Sequence, residues 1–144
     1  MAEDDETGTV RASLERRGSL LTTFEVLVLI AIGGFAGSNL RYFASLVFPG
    51  LSGTLLVNVL GSFVLGFVLY ESIYAGLLAD QTHFVVGTGF LSSFTTYSTF
   101  AVQTVGTGDP VWMLVNVVTN YGLGFLGVFV GRELARRFDG VSAR

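Results

Sequence analysis

Residues 92–99 carry six serine and threonine side chains, together with Phe94 and Tyr97, inside an apolar segment long enough to cross a membrane. Hydroxyl groups in hydrocarbon need hydrogen-bond partners, so a helix that only anchors a protein in lipid gains nothing from such a cluster. The cluster indicates either a broken helix lined by polar groups or a pathway for a solute that needs hydrogen bonds. Transport is therefore the first functional hypothesis.

Asparagines supply amide groups in two other apolar segments. Asn58 lies near the middle of one segment, where its amide needs a partner inside the protein. An interhelical hydrogen bond and the lining of a polar pathway are both open roles for it. Asn116 and Asn120 are four positions apart on a predicted helix, so they face the same direction and form a polar stripe that Ser98 and Thr99 would continue.

Two aromatic residues beside the hydroxyl cluster share a helical face, because Tyr97 and Phe100 are three positions apart. A pair at this spacing more often belongs to a packed core than to a binding site. From the residues alone, both interpretations stay open.

Catalysis has little support in the sequence. The chain has no cysteine and one histidine, which excludes disulfide frameworks, thiolate metal sites and cysteine nucleophiles. Glu25 and Glu71 fall near the ends of apolar segments, where carboxylates are more often interfacial than catalytic. His83 is predicted in a solvated loop. We therefore predict that the protein is not an enzyme.

Composition identifies an integral membrane protein. Of the 144 residues, 51% are hydrophobic and 13% are charged, and the mean hydropathy is +0.64. The length accommodates about four membrane-spanning helices of roughly 20 residues each, with short connections. The net charge of −3 argues against a basic nucleic-acid-binding surface, so no nucleic-acid partner is expected.

The apolar segments predict an all-α membrane protein with four transmembrane helices. Their approximate bounds are residues 24–47, 54–70, 84–105 and 111–130. Gly87 and Gly89 lie just before the hydroxyl cluster and permit a break near the middle of the third helix. The predicted organisation is a polar cytoplasmic N-terminal tail, a four-helix membrane domain and a C-terminal tail, covering residues 1–23, 24–134 and 135–144.

Arginine provides all eight basic residues, and its distribution predicts orientation. One of them, Arg41, lies near the far end of the first predicted helix. The other seven lie toward the chain ends: Arg11, Arg16, Arg17, Arg132, Arg136, Arg137 and Arg144. Because basic residues are retained on the cytoplasmic side, this bias predicts both termini in the cytoplasm of a multi-pass cell-membrane protein.

Three motifs give the chain a specific resemblance. They are Gly33-Gly34-x-x-Gly37-x-x-x-Arg41-Tyr42, Gly53-Thr54-x-x-Val57-Asn58-x-x-Gly61-Ser62-Phe63, and Gly87-Thr88-Gly89-Phe90 with Thr95-Thr96-Tyr97-Ser98-Thr99-Phe100. Their order and spacing resemble the Fluc (CrcB) family of fluoride channels from about residue 26 to residue 134. The resemblance implies a four-helix subunit that pairs antiparallel with a second subunit, forming two narrow pores for passive fluoride export.

The resemblance also implies roles for individual residues. Asn58 would donate a hydrogen bond to fluoride, and the electropositive edges of the Tyr97 and Phe100 rings would line the pore. Ser98 and Thr99 would supply hydroxyl donors. A further positive charge, that of Arg41, would raise the anion concentration in an aqueous vestibule.

A structural sodium ion at the dimer interface is a further implication of the resemblance. The third helix would break around residues 92–95, and the backbone carbonyls of Ser92 and Thr95 would bind the ion together with their counterparts from the second subunit. Ser92 and Ser93 replace a glycine pair that is usual in the family, which alters the geometry of this break.

Other positions also depart from the usual family pattern. Tyr97 stands where phenylalanine is usual, and Gln103 stands where glutamate is frequent. Asn116 and Asn120 replace a tyrosine and a serine, so this face of the fourth helix stays polar but carries side chains of a different shape. Both asparagines are counted among the predicted pore residues.

Both the identity of the partner subunit and the function have a second interpretation. An antiparallel homodimer needs copies inserted both ways, which requires a balanced arginine distribution, so the bias favours an oppositely oriented paralogue as partner. The alternative function is a non-conducting structural subunit of such a heterodimer. A proton-coupled exporter normally needs a carboxylate near the middle of the membrane, and Glu25 lies too near the edge of the first helix.

Overall fold

The protein is all-helical in a computed structural model that describes residues 2–75 and 80–142, and these ranges contain no strand. Three helical stretches are long and apolar enough to cross a membrane: Leu20–Val47, Leu51–Tyr74 and Pro110–Phe138. The prediction of an all-α protein with membrane-length helices is therefore confirmed. The predicted third span, residues 84–105, is not a single continuous α-helix.

Six α-helices and two π-helical stretches make up the described chain. The α-helices are α1 (Ala2–Val47), α2 (Leu51–Tyr70), α3 (Asp80–His83), α4 (Ser92–Phe94), α5 (Tyr97–Gly106) and α6 (Pro110–Ser142), and the π-helical stretches are Glu71–Ala75 and Phe84–Leu91. Helix α1 includes residues 2–23 of the predicted tail, and α6 continues into residues 135–142.

Glycine and proline form the turns between the long helices. Gly50 has a φ of 76° and Gly108 a φ of 67°, values in the left-handed region that favour glycine. Pro110 occupies the first position of α6, where its missing N–H costs nothing. Asp109 caps the same helix, because its Oδ1 accepts a hydrogen bond of 2.7 Å from the Val111 N–H.

A two-residue interruption separates α4 from α5. Thr95 has a ψ of 159°, and Thr96 has a φ of −148° and a ψ of 119°, so both backbones are extended. Within the predicted range of 92–95, Ser92 is still helical and Thr95 alone is extended. The two glycines that were expected to permit the break, Gly87 and Gly89, lie earlier, in the π-helical stretch.

Of these two glycines, Gly89 belongs to a close helix contact with α1, whereas a Cβ on Gly87 would meet nothing within 4 Å. A Cβ on Gly89 would lie 2.6 Å from the Ile30 carbonyl oxygen of α1, and a Cβ on Gly33 would overlap the Val85 carbonyl oxygen. Glycine therefore lets α1 pack backbone to backbone against Phe84–Leu91. The other extensive contact joins α2 and α6, where Gly131 packs on the Phe63 carbonyl. These two contacts hold the interruption between them.

Replacing Gly33 with alanine should destabilise the protein by about 1–3 kcal/mol, the usual cost of forcing extra volume into a packed contact. The added methyl group would meet a backbone oxygen that cannot rotate away. Gly122→Ala on α6 is the matched control, because nothing lies within 4 Å of a Cβ at that position. Thermal unfolding in detergent measures both variants. Equal melting temperatures would contradict the proposed contact between α1 and residues 84–91.

Candidate functional site

Asn58 of α2 pairs with the backbone of the interruption. Its Oδ1 accepts a hydrogen bond of 2.9 Å from the Thr96 N–H, and its Nδ2 donates one of 3.2 Å to the Thr96 carbonyl. The N–H of an extended residue inside a helical run has no helical acceptor, and unpaired backbone groups are costly in an apolar region. One side-chain amide therefore satisfies both polar backbone groups of Thr96. Of the two roles left open by the sequence, the structural hydrogen bond is present.

A chain of amides extends from Asn58 across the protein. Asn58 Nδ2 also donates to Asn120 Oδ1 at 3.3 Å, and Asn120 Nδ2 donates to Asn116 Oδ1 at 3.0 Å. Asn116 Nδ2 donates to Thr104 Oγ1 at 2.7 Å, and this hydroxyl donates to the Phe100 carbonyl at 2.6 Å. Asn116 and Asn120 are each 8% exposed. The predicted polar stripe is therefore a buried network that joins α2, α5 and α6.

Thr96 begins α5 as its N-cap residue. Its Oγ1 accepts a hydrogen bond of 3.2 Å from the Thr99 N–H and donates one of 3.0 Å to Thr99 Oγ1. Ser98 Oγ lies 3.4 Å from the same hydroxyl. Ser98 and Thr99 thus reach the asparagine network through Thr96. Three hydroxyl groups converge at the start of α5.

The two pairings of Thr96 leave backbone carbonyls free. In an α-helix, a carbonyl accepts from the N–H four residues later. The Thr96 N–H donates to Asn58 instead of to the Ser92 carbonyl. Similarly, the Thr99 N–H donates to Thr96 Oγ1 and not to the Thr95 carbonyl. Ser92 and Thr95, the predicted ligand positions, are therefore two of the residues whose carbonyls lose their helical donors. The carbonyls of Ser93 and Phe94 also lose theirs, because Thr95 and Thr96 are extended.

Two cavities meet at the interruption, and Thr96 lines both of them. The larger, of about 530 Å³, is also lined by Asn58, Asn120 and Phe100. The smaller, of about 290 Å³, is also lined by Arg41. The predicted site residues divide between the cavities, except for Ser98 and Asn116, which line neither of them. The larger one also includes Ser92, Thr95 and Tyr97; the smaller one also includes Thr99.

Aromatic rings cover the larger cavity at α5. The Tyr97 and Phe100 ring centroids are 5.9 Å apart, which agrees with their predicted common face. Phe100 is 7% exposed, whereas Tyr97 is 72% exposed. Tyr121 of α6 packs edge-to-face on Phe100 at 6.1 Å and lines the same cavity. Sequence reasoning missed Tyr121, although it directly follows Asn120.

Thr104 and Gln103 are further polar residues near the site. Thr104, which sequence reasoning also missed, ends the asparagine network. Its position four residues after Phe100, on the same helical face, could have revealed it. Gln103 lines the smaller cavity with Arg41. Its buried Oε1 has no hydrogen-bond partner among the described residues. This neutral side chain stands where a carboxylate would repel an anion.

The prediction that His83 is solvated is wrong. Its Nε2 lies 3.3 Å from Glu71 Oε2, and the two side chains are 20% and 4% exposed. Helix α3 brings His83 against the end of α2, and sequence reasoning could not place that contact. Across residues 2–75 and 80–142, no group of three or more His, Cys, Asp or Glu residues could hold a metal ion.

Comparison with known proteins places this geometry in context. Residues 28–132 match the family model described as CrcB-like protein, Camphor Resistance (CrcB). A protein of Haloarcula marismortui named fluoride-specific ion channel FluC 1 is 62% identical over 120 residues, covering 83% of this chain and 93% of the relative. FluC 2 of Halobacterium salinarum is 50% identical over 108 residues, covering 74% and 84%. FluC of Methanocaldococcus jannaschii is 42% identical over 116 residues, covering 76% and 93%.

Replacing Thr96 with valine should loosen the start of α5. The change removes the cap acceptor for the Thr99 N–H, and losing such a cap costs about 1 kcal/mol. Hydrogen–deuterium exchange of residues 97–100 should therefore quicken about fivefold. Thr119→Val on α6 is the control, because no hydrogen bond of its hydroxyl is seen within the described ranges. Unchanged exchange in Thr96→Val would contradict the capping role.

Proposed function

The chain belongs to the CrcB family, and we propose that it forms a fluoride channel that exports fluoride passively down its electrochemical gradient. Fluoride enters cells as the neutral acid and is trapped as the ion at cytoplasmic pH, so such a channel lowers its cytoplasmic concentration. The observation that carries the proposal is the concentration of hydrogen-bond donors around the interruption at Thr96. A channel of this kind rearranges no covalent bonds, so no enzymatic activity is proposed.

Fluoride is small and strongly hydrated, so a pore must replace its water with donors at close range. Side-chain donors converge on the cavities that meet at Thr96. Asn58 contributes an amide to the larger cavity, and Thr99 contributes a hydroxyl to the smaller one. Ser98 adds a hydroxyl within 3.4 Å of Thr96. We propose that Asn116 and Asn120 continue this polar lining along α6.

The aromatic rings suit the same ion. Ring edges carry partial positive charge, so they attract an anion without the strong hydration that a charged side chain brings. Phe100 and Tyr97 line the larger cavity together with Tyr121. In this proposal, fluoride passes the ring edges while it contacts the Asn58 amide.

Arg41 is proposed to attract the anion into the smaller cavity. A positive charge in a cleft raises the local concentration of anions. Gln103 lines the same cavity and carries no charge, so it does not oppose this attraction. The cavity is therefore suited to act as the aqueous vestibule of the pore.

We further propose that sodium binds at the interruption through the Ser92 and Thr95 carbonyls. Carbonyl oxygens freed from helical bonding are the ligands that unwound membrane helices offer to sodium. The donors that those two carbonyls would receive in a helix are used by Asn58 and Thr96. When bound, the ion supplies a fixed positive charge that holds facing carbonyls of two subunits together.

A second, antiparallel subunit is proposed to cover the larger cavity. Ser92 and Tyr97 line that cavity and are exposed in the single chain. The Ser92 hydroxyl donates to the Thr88 carbonyl, but the Tyr97 hydroxyl would face lipid with no hydrogen-bond partner among the described residues if the third span, formed by residues 80–94 and 97–106, lay at the protein surface. The arginine bias favours an oppositely oriented paralogue over a second copy of the same chain. Both termini would then be cytoplasmic.

A structural, non-conducting subunit is the alternative that one observation favours. Both N–H groups of the Asn58 amide already have acceptors within this chain. If those bonds never open, the amide serves only to stabilise the interruption. The conducting pore of the dimer would then belong to the paralogue.

Fluoride efflux from liposomes tests the channel directly. We expect the purified protein, alone or with its paralogue, to release fluoride, and Asn58→Ser and Phe100→Ile to abolish release. Asn39→Ser on α1 is the control, because this exposed amide contacts only the Phe35 carbonyl of its own helix. Undiminished release by a complex that carries Asn58→Ser and Phe100→Ile in this chain alone would favour the role of a structural, non-conducting subunit. No release in any combination would reject the channel.

Orientation can be measured with tags at the termini of the expressed protein. We expect both tags to be protected from a reagent outside the cell, because seven arginines on the terminal side oppose one on the other side. Arg41→Glu is a matched variant that should leave this orientation unchanged. Comparable amounts of the chain in the two orientations would contradict the paralogue as an obligate partner.

A further inference from the structure

We propose that Asn120 is a resident acceptor that competes with fluoride for the Asn58 amide. In this view, the Asn120 side-chain oxygen occupies the hydrogen-bonding direction that a passing anion needs. Fluoride then engages Asn58 only when the bond between the two asparagines breaks. The inference rests on the proposed channel function and assigns Asn120 a role other than that of an anion donor.

The count of donors leads to this proposal. A side-chain amide has two N–H donors. Those of Asn58 go to the Thr96 carbonyl at 3.2 Å and to Asn120 Oδ1 at 3.3 Å. Those of Asn120 go to the carbonyl and to the Oδ1 of Asn116, at 3.1 and 3.0 Å. Neither amide has a donor to spare for an anion in this arrangement.

The direction of the network fixes which atom Asn120 presents. If its amide rotated by half a turn, its Nδ2 would face the Nδ2 of Asn58, and its Oδ1 would face two oxygens of Asn116. Donors would then oppose donors, and acceptors would oppose acceptors. The Asn58 amide is fixed in the same way, because its Oδ1 accepts from the Thr96 N–H. Asn120 therefore offers an oxygen to Asn58.

One of the two Asn58 donor bonds is easier to release. The bond to the Thr96 carbonyl is one of the two bonds by which Asn58 holds the extended backbone of Thr96 in an apolar region, so its loss is expensive. The bond to Asn120 joins two side chains and is the longest in the amide network. Because Asn58 and Asn120 line the same cavity, an anion there can approach the bond between them.

An anion is a strong competitor for that donor. A hydrogen bond to a charged acceptor is roughly twice as strong as one to a neutral acceptor. Fluoride can therefore displace the amide oxygen of Asn120. Its binding free energy at Asn58 is reduced, however, by the strength of the hydrogen bond between the two asparagines that must break. Asn120 thereby weakens fluoride binding at Asn58 and tunes the concentration at which the pore fills.

The fluoride dependence of efflux tests this competition, with the channel assembled as it conducts. Asn120→Ser shortens the side chain and removes the competing amide oxygen, so the half-saturating fluoride concentration should fall about three- to tenfold. Asn120→Asp keeps an acceptor and adds negative charge, so that concentration should rise at least about tenfold. Asn39→Ser, which changes an amide outside the network, should leave it unchanged.

The outcomes separate this inference from the channel itself. Efflux by the wild type with an unchanged or higher half-saturating concentration in Asn120→Ser overturns the competition and leaves the channel intact. No efflux by either protein rejects the channel. A misfolded variant cannot bind fluoride more tightly than the wild type, so a lower concentration in Asn120→Ser supports the competition.

Side-chain NMR of the wild type provides a measurement that needs no variant. On titration with fluoride, the Asn58 amide proton signals should shift, while the Thr96 N–H signal stays in place because its bond to Asn58 persists. A shift of the Thr96 signal with an unmoved Asn58 amide would overturn the proposal, since fluoride would then act at the Thr96 backbone and not at the Asn58 side chain.

Discussion

The hydrogen bonds between Asn58 and the backbone of Thr96 are the interaction on which the rest of this structure depends. An extended residue in an apolar helical run exposes an N–H and a carbonyl that lipid cannot satisfy. Asn58 satisfies both from a neighbouring helix. Without this pairing, the chain would gain more from a continuous helix through residues 92–100, and the cavities, the cap and the freed carbonyls would all be lost.

Local consequences follow from that pairing. Because the Thr96 backbone is held outside the helix, its hydroxyl is free to cap α5, and the first turn of α5 begins at a defined residue. The Thr96 N–H and the Thr99 N–H donate to side chains and not to the backbone. Their usual helical acceptors, the carbonyls of Ser92 and Thr95, are therefore left without those donors. The neutral Asn58 amide thus leaves backbone carbonyls at the interruption without helical donors, while the N–H and the carbonyl of Thr96 stay hydrogen-bonded.

Stability and conduction place opposite demands on the asparagine network. Buried amides must be hydrogen-bonded for the protein to fold, and each satisfied N–H is one donor fewer for a solute. Here the network from Thr104 to Asn58 uses five donor bonds from three amides within the chain. A pore built from such groups must therefore exchange internal bonds for bonds to its ion, and the weakest internal bond sets the cost of that exchange.

The helical class, the long apolar helices and the neighbourhood of the interruption were predictable from the sequence, because these depend on local periodicity and backbone preferences. Its motifs also determined the family. Which groups meet depends on the tertiary structure: Asn58 lies 38 residues from Thr96 and 62 from Asn120 along the chain. It also decided that His83 packs on Glu71 and that Tyr121 covers Phe100. Hydrogen-bond partners across helices depend on the rotation and depth of each helix, and those are set by glycine contacts that one-dimensional spacing does not encode.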